Sequence, residues 1–181
     1  MNQKRIVITG GPGSGKTTLI EHLEIEGHTV MHEVSRAVIK AAQEEGIEQL
    51  FLEDPMLFSQ KLLESRLNQF EEASSMEDSI IFYDRGMPDV TAYMDYIGSP
   101  YTESFDQPCV EFRYHSIFLL PPWEGIYLQD NERYESFDQA VLIYQFLLRG
   151  YQKYGYNIVE VPIGTIDERI HFIFGHLNQG L

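Results

Sequence analysis

The segment Val7–Thr18 reads VITGGPGSGKTT. Four glycines and a proline follow a β-branched apolar run and precede a lysine and two threonines. Glycine and proline end regular structure, so the chain leaves one element, turns sharply and enters the next within a few residues. Arg5–Thr9 (RIVIT) predicts a buried strand, and Lys16–Glu26 predicts a helix that Gly27 ends. A strand and a helix joined this tightly favour a parallel sheet covered by helices.

The rest of the chain keeps the alternation. HTVMHE (28–33) reads as a second strand. Val34, Ala37, Val38 and Ala41 then form a helical stripe. Pro55–Ser75 reads as a helix, Ser79–Asp84 (SIIFYD) as a third strand and Asp89–Ile97 as a short helix. Ser116–Pro122 (SIFLLPP) is a fourth strand stopped by two prolines. Ala140, Ile143, Tyr144, Leu147, Tyr151 and Tyr154 line one face of a long helix. NIVEVP (157–162) is a fifth strand, and Ile166, Ile170, Ile173, Phe174 and Leu177 mark a final amphipathic helix. The expected fold is α/β, in three layers (α/β/α), with a mostly parallel five-stranded sheet. No linker interrupts it, so residues 1–181 are expected to form one domain. ESFDQ occurs at 103–107 and 135–139, and Ser-x-x-Gln in it fits a capping box, more securely at Ser136 than at Ser104, where Pro108 follows.

Gly10-Gly11-Pro12-Gly13-Ser14-Gly15-Lys16-Thr17 matches G-x-x-x-x-G-K-[ST], the P-loop. Its glycines let backbone N–H groups turn inward around phosphates, and the following helix aims its positive N-terminus at the same anion. Lys16 is expected to reach the β- and γ-phosphates of ATP, Thr17 to help hold Mg²⁺, and Thr18 to contact the α-phosphate. A ligand-free tight turn would explain the glycines but not the lysine and hydroxyl in register.

Asp84 ends an apolar strand and is the candidate carboxylate for a magnesium-bound water; a cap just past the strand is the plainer role. Glu33 ends the second strand, so it is expected at the same sheet edge as Asp84 and the P-loop. There it would orient or deprotonate an acceptor hydroxyl, or serve as a helix-start carboxylate. Arg36, one helical turn on, would pair with Glu33 or bind an anionic group of the acceptor. Arg85 follows Asp84; the pair resembles the Asp-Arg motif of nucleoside and nucleotide kinases, which implies that Arg85 handles phosphate or acceptor, and a structural ion pair is the plainer role.

Pro121–Asp138 is polar and irregular and lies between a strand and a long helix, a position that resembles that of the lid in P-loop kinases. Arg133 would swing from it onto the transferring phosphoryl group, with Asp130 orienting it. Trp123 reads as packing under the loop, and Arg149 as a helix-end surface charge.

With 28 Asp+Glu against 13 Lys+Arg, the formal charge of −15 repels nucleic-acid phosphate and anionic lipid. The single Cys109 forms no internal disulfide or cysteine zinc site and fits a reducing, cytoplasmic setting. No apolar run reaches membrane-span length, and the apolar stretch before Gly10 is too short for a signal-peptide core.

TGGPGSGKTTLIEHLEIEGHTVMHEVSRAVI, IFYDRGMPDVTAYM, FLLPPWEGIYLQDNERYESFDQA and YGYNIVEVPIGTIDERI together resemble the AAA-domain family of small bacterial predicted ATPases. That family is related to the ribosylnicotinamide kinase domain of NadR and to P-loop nucleoside and nucleotide kinases. The resemblance implies a P-loop NTPase fold. Asp84-Arg85 is similar to the Asp-Arg motif of thymidylate kinase, and Glu33 stands where deoxynucleoside kinases carry their base. The arginine array of ring-forming ATPases is not recognisable. Two functions follow as expectations. One is a kinase passing the ATP γ-phosphoryl to a nucleoside, nucleotide or related hydroxyl metabolite. The other is a nucleotide-dependent ATPase or switch acting on a protein partner. No N-K-x-D motif supports a guanine-specific switch.

Overall fold

The computed structural model describes residues 3–127 and 136–179. Five strands form one sheet: β1 (Lys4–Gly10), β2 (Thr29–Met31), β3 (Ile80–Asp84), β4 (Ser116–Leu120) and β5 (Ile158–Glu160). Their spatial order is β2-β3-β1-β4-β5, and every pairing is parallel. β1 is central, with Ile8 opposite Asp84 of β3 and Gly10 opposite Leu120 of β4. The strand ends that carry the glycine loop and Asp84 therefore lie side by side.

Strand alternation sends neighbouring residues to opposite layers. Ile6, Ile8, Phe82, Phe118 and Leu120 pack with Leu19, Ile20 and Leu23 of α1 (Lys16–Ile25) and Ile170, Ile173 and Leu177 of α8 (Ile166–Gln179). Val7, Ile81, Tyr83 and Ile117 face the other layer. That layer contains α2 (Ser35–Glu44), α3 (Leu50–Glu53), α4 (Pro55–Glu72), α5 (Met87–Ile97), α6 (Glu103–Glu111) and α7 (Phe137–Lys153). Both faces of the central strands are covered, which is why they read as continuous apolar runs. The chain is a three-layer α/β/α structure, as the sequence predicts.

The differences have local causes. β2 keeps only Thr29–Met31 of the expected HTVMHE; at the sheet edge it pairs with β3 alone. In α2 the buried positions are Val38 and Ala42, spaced by four, whereas Ala37 and Ala41 are exposed. Pro55–Ser75 is α4 followed by a 3-10 turn over Ala73–Ser75. α5 begins at Met87, two residues before the expected start, with Pro88 in its first turn. Helix α6 goes unpredicted because Pro108 sits inside it, and Thr102, not Ser104, is its N-cap. Ser136 does cap α7: its hydroxyl accepts from Gln139 N, and the Gln139 side chain accepts from Ser136 N.

Candidate active site

The loop after β1 takes a conformation that its glycines permit. Gly13 and Gly15 adopt left-handed φ values of 73° and 77°, open to glycine at little cost. A Cβ on Gly13 would stand 2.3 Å from the Tyr127 ring. Ser14 Oγ donates to Gly11 O at 2.8 Å, folding the loop over itself. α1 starts at Lys16 without a side-chain cap, so its first backbone N–H groups are left to another acceptor. Thr17 and Thr18 are exposed at this end.

Lys16 is buried and donates to Asp84 Oδ1. Burial, then the nearby Arg85 guanidinium, lowers its pKa, while Asp84 and Glu33 oppose that shift. The ammonium is thus held against burial chiefly by the Asp84 and Glu33 carboxylates. Asp84 ends β3, and its neighbour Arg85 has a left-handed φ of 73°, the only such non-glycine among the described residues. Arg85 N donates to Ile8 O at 3.0 Å, tying the turn to β1. Its guanidinium reaches Glu33 Oε2 at 2.6 Å and Asp89 Oδ1 at 3.2 Å.

Glu33 lies between β2 and α2 and accepts from Val34 N at 3.1 Å and Ser35 N at 3.3 Å. It also accepts from Arg66 Nη2 at 2.9 Å. Burial works to raise its pKa, but Arg66 and Arg85, then Lys16, hold it down at about 2. The carboxylate is firmly ionised. Arg66 is buried on α4, and its Nε and Nη1 have no hydrogen-bond partner among the described residues. Arg36 is exposed and forms no ion pair among them.

A cavity of about 560 Å³ joins these groups. Gly11, Pro12, Lys16 and Thr17 form its loop end, and Glu33, Asp84, Arg85 and Asp89 its polar floor. Phe58, Leu62, Val90 and Ile143 form an apolar wall, and Arg36 and Arg66 line it as well. Gly10 is adjacent, where a Cβ would come within 2.9 Å of Leu120 O.

Three buried groups went unrecognised in the sequence. Asp89 accepts from Thr9 Oγ1 and Tyr151 OH, each at 2.5 Å, from Gly86 N at 2.9 Å and from Arg85. Arg66 follows Phe58 and Leu62 at four-residue spacing, so it falls on the buried stripe of α4. Arg169 sits beside Ile170 on the stripe of α8; it donates to Ser14 O at 2.9 Å and Pro162 O at 3.1 Å. A charged residue on an apolar stripe was the available signal for both arginines.

The Pro121–Asp138 segment is described only at its two ends. Trp123 N donates to Gly13 O at 3.1 Å, and the Trp123 ring lies 5.7 Å from the Arg169 guanidinium. Trp123 is therefore packed beside the glycine loop. Asp130 and Arg133 lie outside the described residues. Arg149 is exposed, near the end of α7. Two residues with hard oxygen donors, Thr17 with its hydroxyl and Asp84 with its carboxylate, line the same cavity. That donor set fits Mg²⁺, which commonly takes one or two protein oxygens and completes its shell with water and phosphate. No larger cluster of metal-ligating side chains occurs among the described residues. None of the described helices is long and apolar enough to cross a membrane.

The AAA domain family model matches residues 5–169. The chain belongs to this family. Comparison with curated proteins finds no match to this AAA domain chain. Among solved structures, it resembles deoxyadenosine kinase from M. mycoides with products dCMP and dCDP bound. Identity is 16%, the TM-score 0.67, and the match covers 97% of this chain and 99% of that one. Thymidylate kinase from Candida albicans gives 17% identity, a TM-score of 0.68 and coverage of 99% and 92%. NadR in complex with NR gives 19%, 0.69, 99% and 51%, so the AAA domain chain spans about half of NadR. At these identities the likeness shows a shared fold.

Proposed function

We propose that the protein is an ATP-dependent phosphotransferase acting on a small-molecule acceptor: a nucleoside, a nucleotide or a related hydroxyl metabolite. The observation that carries this reading is the cavity: a single space of about 560 Å³ is lined by Lys16 and Thr17, by Asp84 and Arg85, and by Phe58, Leu62 and Arg66. Hydrolysis needs room only for water. A cavity that extends past the glycine loop to apolar and cationic side chains suits an acceptor.

In this reading the backbone of Gly10–Gly15, with Pro12 and Ser14, cradles the ATP phosphates. Lys16 leaves Asp84 for the β- and γ-phosphates, and Thr18 contacts the α-phosphate. Thr17 and Asp84 hold Mg²⁺, which would neutralise charge on the phosphate oxygens. Arg85, fixed between Glu33 and Asp89, faces the transferring group, and Glu33 orients the acceptor side. The kinase structures that share the fold support a phosphotransferase in general.

The test is ADP release, measured across nucleosides, mononucleotides and nicotinamide riboside and compared with the rate without acceptor. At least one acceptor should raise the rate well above the basal value, and Lys16→Ala should abolish the increase. A rate that no acceptor changes would refute a phosphotransferase and favour nucleotide hydrolysis coupled to a protein partner.

A further inference from the structure

We infer that, resting on the phosphotransferase reading, the acceptor is a phosphate monoester, of the nucleoside monophosphate class, whose phosphate is held by Arg36 and Arg66 in the cavity. Four cations line this cavity, Lys16, Arg36, Arg66 and Arg85, in a chain whose formal charge is −15. Its carboxylates are already engaged. Asp84 is bonded to Lys16, Glu33 to Arg66 and Arg85, and Asp89 to Arg85, Thr9 and Tyr151. One carboxylate, Glu33, thus serves two guanidiniums.

What remains is unmet donor capacity at the acceptor end. Arg66 is buried and lines the cavity, yet its Nε and Nη1 lack partners among the described residues. A buried donor without an acceptor costs about 1–3 kcal/mol, and a ligand oxygen that draws this guanidinium toward the cavity would relieve that cost. Arg36 adds an exposed guanidinium without an ion pair among the described residues. Two arginines offering forked N–H donors match the oxygens of a phosphate monoester. Phe58, Leu62 and Val90 leave apolar surface for the remainder of the molecule.

The chemistry agrees with the state of Glu33. Held ionised by Arg66 and Arg85, it is a weak proton acceptor. A phosphate oxygen needs none. It attacks the γ-phosphorus and forms a P–O–P bond. The bond from that phosphorus to the bridging β,γ-oxygen breaks, and its electron pair leaves with ADP. The acceptor oxygen is already ionised, so no proton has to depart.

Titration calorimetry on the protein saturated with Mg²⁺ and a non-hydrolysable ATP analogue tests this. The ligands are matched pairs: thymidine and dTMP, cytidine and CMP, uridine and UMP, guanosine and GMP, adenosine and AMP. At least one monophosphate should bind about 10-fold or more tightly than its nucleoside, the scale of one charge-assisted contact. Arg36→Gln should erase that preference, leave affinity for the ATP analogue within about twofold, and be partly rescued by Arg36→Lys. Nucleosides that bind as tightly as their monophosphates, a preference that survives Arg36→Gln, or no binding in either series would each overturn the inference. Phosphorylation of a neutral nucleoside that Arg36→Gln leaves unchanged would overturn it and leave the phosphotransferase reading standing. Arg36-dependent monophosphate binding without product from ATP would uphold the anion site and sink the phosphotransferase reading.

Discussion

Replacing Glu33 with glutamine should be among the most destabilising single changes near the cavity, although the two side chains are nearly the same size. Glu33 is the ion-pair partner of a buried arginine, and its carboxylate takes four donors: Arg66, Arg85, Val34 N and Ser35 N. A carboxylate held at about 2 against an ordinary 4.5 stabilises the folded state by about 3 kcal/mol at neutral pH, at about 1.4 kcal/mol per pKa unit. Stranding a buried charge by removing its partner gives about 3–5 kcal/mol independently. Urea unfolding at pH 7 should therefore show a loss of about 3 kcal/mol at unchanged m-value. The pH dependence carries the sign. Because the folded pKa lies below the unfolded one, the stabilisation is complete above about pH 5 and fades as pH falls toward 2. The wild type and Glu33→Gln should converge over that window. A second substitution, Arg66→Met, should recover part of the loss by removing the stranded charge. A loss below about 1 kcal/mol at pH 7, or a difference that stays constant down to pH 3, would refute the argument.

Mg-ATP at about a hundred times its Kd should stabilise the wild type by roughly 2.7 kcal/mol, and Lys16→Ala should remove most of this; a melting point indifferent to excess Mg-ATP would count against a working loop. Gly13→Ala should cost about 1–2 kcal/mol from its left-handed backbone alone, and the Tyr127 ring must also move. Because Trp123 N is bonded to Gly13 O, the emission of Trp123, the lone tryptophan, should shift with that substitution. Arg169→Met should leave the Ser14 and Pro162 carbonyls short of a donor, costing about 2–4 kcal/mol, and should weaken ATP-analogue binding in titration calorimetry.

The sheet was legible because burial on both sides leaves no choice but continuous apolar β-branched strands, as in Arg5–Thr9 and Ile80–Asp84. The long helices were legible from spacing, as with Ala140, Leu147 and Tyr151. Short elements were less so: α3 is four residues long, and α6 tolerates Pro108 that local rules place outside a helix. Residues at strand ends, Glu33, Asp84 and Arg85, could be placed at one sheet edge from strand order alone. Arg66 and Asp89 could not, because their meeting depends on how α4 and α5 pack against that edge. Pattern reading assigns a charged residue to solvent; only packing reveals that Arg66 is enclosed and that Glu33 must answer for it.

On the proposed reading, the bond between Lys16 and Asp84 would make nucleotide entry an exchange of partners. In the proposed mode the lysine trades a carboxylate for phosphate, and the carboxylate trades the lysine for the metal's hydration shell. Each buried charge stays matched before and after, provided cation and nucleotide arrive together. Metal-free ATP breaks this symmetry, because it claims Lys16 and leaves Asp84 bare beside a polyanion. The same ion pair between Lys16 and Asp84 would thus screen the form of nucleotide admitted, favouring the magnesium complex over the free tetra-anion before any chemistry begins.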